Sequence, residues 1–230
     1  MFVTDRYILS TIPTLNNMLD QKTLVEYLKS SEAKNLKGLS RIKTIYRPHI
    51  CPFDDLLNTI PHYTSLFDVG CGAGSFLSLF SNFNKPSKIA GIEIAENLIN
   101  DARSLLSKFP VEQHIYQYDG TNIPDEIAEY DYVSMIDVYH HIPPAIQETF
   151  MKQLYAKMKP GAVLVFKDIN AASPLVVMNK LHDLLLSKEI GNEISMKKAL
   201  NLLKSIGFEI THTDKKLMVV YPHFTIYAKK

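Results

Sequence analysis

From Ser65 onward the chain alternates short apolar runs with amphipathic stretches, and this alternation narrows its possible folds more than any other feature. "SLFDV", "KIAGIEI", "VEQHIYQY", "YDYVSMI" and "GAVLVFKDI" read as strands. Between them, "GSFLSLFSNF", "AENLINDARSLLSKF" and "PAIQETFMKQLYAKMK" read as helices. Strands joined by helical crossovers build parallel sheets covered on both faces. The end of the chain departs from this pattern. After the helix "SMKKALNLLKSIGF", the strands "EITHTDKKLMVVYP" and "FTIYAKK" are separated only by a turn placed at Pro222. So short a link demands an antiparallel pair. The expected fold is α/β: a mostly parallel seven-stranded sheet with an antiparallel terminal strand and helices on both faces.

Residues 1–60 read as an N-terminal helical segment or cap ahead of a domain over 61–230. "QKTLVEYLKSSEA" sets Leu24, Tyr27 and Leu28 on one helical face, and "LKGLSRIKTIYR" repeats apolar positions at Leu39, Ile42, Ile45 and Tyr46. "FDDLLNTI" is a short helix between Pro52 and Pro61. One insertion stands out, residues 170–194, with a helix from Pro174 to about Lys188. Its leucines and Met178 spread over a wide arc. That pattern suits either a helix buried in the core or a greasy lid at the C-terminal edge of the sheet, where open α/β folds bind ligands.

Composition sets the outer limits. Hydrophobic residues make up 46% and charged residues 21%, an ordinary globular composition that argues against disorder. A formal net charge of +1 gives no broad footprint for a nucleic-acid backbone. Cys51 and Cys71 are the only cysteines, and one lies inside a glycine cluster, so a reducing compartment fits better than a structural disulfide. The start, "MFVTDRYILSTIPTLNN", has the pattern of no secretory signal, and no apolar run nears the roughly 20 residues that span a bilayer. These features point to a cytoplasmic protein. No metal-ligand spacing such as HExxH or paired CxxC is present.

The first strand runs into "LFDVGCGAGSF", with glycines at 70, 72 and 74. Glycines so placed mark positive φ or a close approach of something to the backbone. A dinucleotide fingerprint needs G-x-G-x-x-G, but position 75 is Ser; a phosphate-cradling P-loop needs a following lysine that is missing. An acid, Asp68, also stands two residues before the first glycine, which suits a cation better than a phosphate.

The stretch Asp68-Val69-Gly70-Cys71-Gly72-Ala73-Gly74 resembles motif I of the class I S-adenosylmethionine-dependent methyltransferases, and the resemblance extends over about residues 46–230. It implies a Rossmann-like fold, S-adenosyl-L-methionine as cofactor, and a glycine turn lying under the cofactor's methionine end. It further implies that Asp68, Gly70, Cys71, Gly72 and Gly74 line that end. By the same resemblance Glu93 takes the ribose hydroxyls, Ile94 packs on the adenine, and Asp119 and Gly120 meet the adenine amino group and ring. Read alone, Glu93 is a solvated strand end and Asp119-Gly120 a turn. "IDVYHHIPP" resembles motif IV, which places Asp137 to His140 between cofactor and acceptor. Arg47 stands where some family members set a basic residue on the methionine carboxylate; by itself it reads as a surface arginine.

Methyl transfer from a sulfonium is an in-line displacement in which the protein supplies positioning, desolvation and a base where the acceptor must lose a proton. Histidine titrates in the useful range. His140 and His141 are the candidate catalytic bases, His140 first for its place nearer the strand end, with His182 and Asp183 in the insertion behind them. The alternative is that these histidines only bond their loop. Asp137-Val138-Tyr139-His140 replaces the N-P-P-Y type motif of base and amide methylases. With the near-neutral charge and the greasy insertion, this favours a small, lipophilic or aromatic acceptor over nucleic acid. The competing readings are an RNA or protein methyltransferase and a non-catalytic cofactor-binding protein.

Overall fold

A computed structural model describes residues 18–186 and 191–230, apart from the side chains of residues 182, 183 and 186. Seven strands form one sheet in the order β3-β2-β1-β4-β5-β7-β6. They are β1 (Leu66–Val69), β2 (Lys88–Glu93), β3 (Glu112–Gln117), β4 (Tyr132–Ile136), β5 (Val163–Ile169), β6 (Glu209–Met218) and β7 (Tyr221–Lys229). The first five run parallel, and β7 is antiparallel to both of its neighbours. The reversed strand thus ends the chain but not the sheet: it slots between β5 and β6. The strand order reverses direction beside β1, which opens the crevice that doubly wound folds use for ligands.

Alternation along the strands divides the core. Leu66 of β1 faces one side, where it joins Leu24, Leu28, Phe53, Leu56, Phe76 and Phe80. Phe67 and Val69 face the other, with Tyr130, Met151, Leu154, Phe166 and Phe224. The first layer is built by α1 (Gln21–Ser30), α2 (Gly38–Tyr46), α3 (Phe53–Thr59), α4 (Ser75–Phe83) and α5 (Glu96–Leu106). The second layer is α6 (Pro144–Lys157) and α8 (Met196–Ile206), with α7 (Val176–Leu186) between β5 and α8. Among the described residues no helix is long and apolar enough to cross a membrane.

Two local expectations change. The apolar repeat of α2 does not face the core: Ile45 is buried, but Leu39, Ile42 and Tyr46 are exposed. A period of 3.6 reports that a helix has an apolar stripe and not which side the core lies on. The α7 stripe behaves likewise, with Val177, Leu181, Leu184 and Leu185 exposed, so α7 is no core helix. Its buried polar residue, Asn179, donates to Glu193 at 3.0 Å.

The final hairpin turns at Val219–Val220, with Met218 paired to Tyr221, and Pro222 lies inside β7. Val219 occupies the first central position at φ 58°, where tight hairpins favour glycine. A left-handed β-branched residue there costs about 1–2 kcal/mol, and 73% exposure means that little packing compensates. Val219→Gly is therefore expected to stabilise the protein by about 1 kcal/mol, raising the thermal midpoint by roughly 2–4 °C. Calorimetric unfolding of the two proteins checks this, and an unchanged or lower midpoint contradicts it.

Candidate active site

A cavity of about 650 Å³ opens at the C-terminal end of β1, within the range of roughly 300–1,000 Å³ common to small-molecule sites. Its floor is the glycine turn. Gly70 has φ 74°, and a Cβ there would come within 2.5 Å of Val138 Cγ2, so no larger residue fits between the β1 and β4 loops. Gly72 has φ 55° and faces open space. The turn's own amides are largely taken up: those of Gly70 and Cys71 both donate to the Ile92 carbonyl, at 2.8 and 3.0 Å, and that of Gly74 donates to Cys71. The turn therefore offers a ligand closeness and shape more than a row of free donors.

Glu93, at the end of β2, holds this floor in place. Its Oε2 accepts from Gly72 N at 3.0 Å, while Oε1 accepts from Ile94 N at 2.8 Å and Ala95 N at 3.0 Å. A carboxylate has about four acceptor positions, so capacity remains toward the cavity that Glu93 lines. Ile94 and Leu98 line the same side, with Ile94 well exposed at the rim.

Asp68 is buried, accepts from Ser134 Oγ at 2.6 Å and lines the cavity. Burial pushes its carboxyl up to about 7; Ser134 works against that, and the nearby Glu93 charge adds to it. Opposite stand Arg47 and Asp137. Arg47 Nη2 meets Asp137 Oδ2 at 2.8 Å, and Lys167 Nζ meets Oδ1 at 2.5 Å. Burial works to raise the Asp137 carboxyl, but the Lys167 and Arg47 cations outweigh it and hold it far below the usual carboxylate range.

Arg47, Asp68, Gly70, Cys71, Gly72, Glu93, Ile94, Gly120 and Asp137 all line the cavity, and Gly74 stands just behind as the cap of α4. Asp119 is the exception. Its Oδ1 accepts from Thr121 N, Thr121 Oγ1 and Asn122 N, and its Oδ2 accepts from Asn122 Nδ2. Those bonds, led by the Asn122 amide, pull its carboxyl far down and commit it to its own turn, which is the plain Asp-Gly reading.

The histidines exchange places. His141 lines the cavity. His140 is buried behind it, with Nδ1 2.5 Å from Asp168 Oδ1 and its carbonyl accepting from Asn192 N at 2.7 Å. Distance along the chain from the strand end cannot show which of two adjacent side chains turns inward. The side chains of His182 and Asp183 lie outside the described residues.

Sequence reasoning missed the wall formed by α2. Ser40, Lys43 and Thr44 line the cavity one or two helical steps from Arg47. Ser40 Oγ donates to Asp101 at 2.5 Å and Ser75 Oγ donates to the Thr44 carbonyl at 3.1 Å, tying α2 to α5 and α4. The only signal was polar residues at helical spacing, which also describes a solvated face. The apolar remainder of the cavity includes Phe53, Phe76, Ile142, Pro143, Ile146 and Phe150.

Residues 26–213 match a family model described as a methyltransferase domain. The 2-methyl-6-phytyl-1,4-hydroquinone methyltransferase of Synechocystis is 30% identical over 122 residues, 50% of this chain and 35% of that protein. The tRNA(Thr) (cytosine(32)-N(3))-methyltransferase of Saccharomyces cerevisiae is 27% identical over 115 residues, 46% of this chain and 18% of that protein. This chain thus spans about a third or less of the length of these curated relatives. Among solved structures, magnesium protoporphyrin IX methyltransferase from Synechocystis with bound SAH is similar with a TM-score of 0.63. It is 16% identical, and the match covers 92% of this chain and 100% of that one, a likeness of fold.

Asp68 generates a prediction. Its folded pKa lies above its unfolded value near 4, so its ionisation opposes folding: stability falls as pH rises from about 4 to about 7 and is level beyond. Asp68→Asn keeps an acceptor for Ser134 and carries no charge. The variant is expected to match the parent near pH 4 and to be the more stable by up to about 4 kcal/mol above pH 7. Denaturant unfolding across that range measures the gap; a gap that does not widen with pH contradicts the assignment.

Proposed function

Because this chain belongs to the methyltransferase-domain family, and with it to the S-adenosylmethionine-dependent enzymes, we propose that it methylates a small, lipophilic or aromatic acceptor. The observation that carries this reading is the cavity's apolar side, Ile142, Pro143, Ile146 and Phe150, next to the His141 imidazole. The 30% identity to a hydroquinone methyltransferase supports it.

The residues present suit the three parts of the cofactor. Glu93, with three backbone donors in place, keeps acceptor capacity for about one ribose hydroxyl, beside the apolar Ile94 and Leu98 for the adenine. The Tyr118 hydroxyl, buried and with no hydrogen-bond partner among the described residues, belongs to a residue that lines the cavity with Gly120. Asp68 offers a carboxylate to an ammonium and Arg47 a guanidinium to a carboxylate, across a floor that Gly72 leaves bare. When bound, S-adenosylmethionine supplies a methyl carbon on a sulfonium, which departs as a neutral thioether.

The chain's own part is placement and one proton. Asp137, fixed between Arg47 and Lys167, sets the wall where the acceptor approaches. The apolar side excludes water from that approach. His141 is the base of this site: a ring nitrogen would take the proton that the acceptor's nucleophilic atom loses on methylation and pass it to solvent. His140, held by Asp168, fixes the loop that carries His141: their ring centroids are 4.1 Å apart.

The test is transfer of labelled methyl from S-adenosylmethionine into a cell extract, split into organic-soluble, protein and RNA pools. Label is expected in the organic pool. His141→Ala is expected to reduce transfer about 100-fold or more while leaving cofactor affinity within about two-fold. Label confined to RNA, the substrate class of the yeast relative, overturns the acceptor assignment and leaves the family intact.

A further inference from the structure

The outer face of α2 has a composition that the cavity does not explain. Leu39, Ile42 and Tyr46, at i, i+3 and i+7, form one stripe and are 60%, 56% and 46% exposed. At about 100° per residue, Arg41 and Lys43 stand on either side of Ile42. Residues 29–47 hold six basic side chains, Lys29, Lys34, Lys37, Arg41, Lys43 and Arg47, against one acid, Glu32. The whole chain is balanced at 25 to 24, so this is a local concentration. Among the described residues, Lys34, Lys37, Arg41 and Lys43 make no ion pair, as is also true of Lys197, Lys198 and Lys204 on α8; what sets this face apart is the apolar stripe beside the cations. Lys29 lies over the Tyr46 ring, 5.3 Å from its centroid.

We infer that this face docks on an anionic lipid surface, an inference that rests on the lipophilic-acceptor reading for its purpose. Exposed Leu and Ile framed by unpaired cations fit a bilayer interface, where apolar side chains enter the acyl boundary and cations meet lipid phosphates. A nucleic-acid groove would use the cations but leave Leu39 and Ile42 without a partner. The α7 stripe lacks this framing, since its lysine, Lys180, pairs with Glu193 at 2.8 Å. The opposite side of α2, through Ser40, Thr44 and Arg47, walls the cavity. Docking by the outer side sets the site beside the lipid phase in which a greasy acceptor dissolves.

The experiment is co-sedimentation of the full chain with phosphatidylglycerol–phosphatidylcholine vesicles and with pure phosphatidylcholine vesicles, at low and high salt. One variant combines Lys34→Glu, Lys37→Glu and Arg41→Glu; another combines Leu39→Ser and Ile42→Ser. None of these five residues lines the cofactor cavity, and cofactor affinity and thermal unfolding verify that both variants fold. The parent is expected to bind the anionic vesicles only. High salt should weaken binding, charge reversal should cost at least about five-fold per residue, and the apolar variant about ten-fold. No binding by the parent, or binding unchanged in both variants, overturns the proposal. Binding to bulk tRNA that falls with the charge variant while the apolar variant behaves as the parent toward vesicles also overturns it, and assigns the face to nucleic acid. The acceptor is scored separately in detergent. Organic-pool methylation without vesicle binding removes the docking proposal alone, and vesicle binding with label only in RNA removes the acceptor reading alone.

Discussion

A single carboxylate, Asp137, joins the parts of this protein that make its cavity. Its two oxygens meet cations from different elements, Arg47 just beyond α2 and Lys167 on β5, while its own backbone sits at φ 55° at the end of β4. Taking ions out of water costs several kcal/mol each, and only full pairing offsets it. Removing either cation would leave a charge stranded, so the triad acts as a unit. His223 packs beside it and adds no third positive charge, because burial, reinforced by Lys167, pushes its imidazole down to about 3. The end of α2 is thereby fixed to the sheet edge, and α2 comes to lie over the glycine turn.

The cavity gathers groups that a protein selected only for stability would avoid. Asp68 is buried with one hydroxyl donor, Asp137 holds a left-handed backbone, and the Tyr118 hydroxyl has no hydrogen-bond partner among the described residues. Each is unfavourable by itself, and each faces the same space or forms its wall. Strain and unmet polarity that collect in one cleft describe a site prepared for a ligand that supplies the missing partners. An ammonium near Asp68 would do so by making ionisation favourable. The Glu93 carboxylate differs: with three backbone donors already satisfied, it is rigid before any ligand arrives.

Much of this was legible in the sequence because it depends on local chemistry. The strand and helix alternation follows from side-chain periodicity, and the glycines at 70 and 72 from positive φ. Glu93 comes through the resemblance, since its place at a strand end alone reads as solvated. What was not legible depends on direction. Asp119 and Glu93 are both acids at strand ends, but only Glu93 turns toward the cavity; Thr121 and Asn122 capture the other. His140 and His141 differ by one position and point to opposite environments. The hairpin turn falls at Val219, where the local rule asks for glycine, and Pro222 is carried into the sheet by its pairing with Leu217 of β6. The alternating pattern fixes which residues share a face; tertiary packing decides what that face meets.

The second helix shows why the distinction matters for function. In sequence it is a short amphipathic segment whose apolar residues belong inside. In the structure its two long faces have traded expected roles: the polar one, Ser40 and Thr44 with Arg47 just past the helix end, is turned inward to a cavity, and the apolar one, Leu39, Ile42 and Tyr46, outward. An inward polar face is tolerated only where a polar ligand or paired charges meet it, as Asp137 and Asp101 do here. An outward apolar face costs water contact unless a partner covers it. Both inversions have the same geometric origin, since turning a 3.6-residue helix to put Arg47 on Asp137 necessarily turns Ile42 away from the core. The charge pair that builds this wall of the cavity is therefore also what presents the apolar stripe to the surroundings.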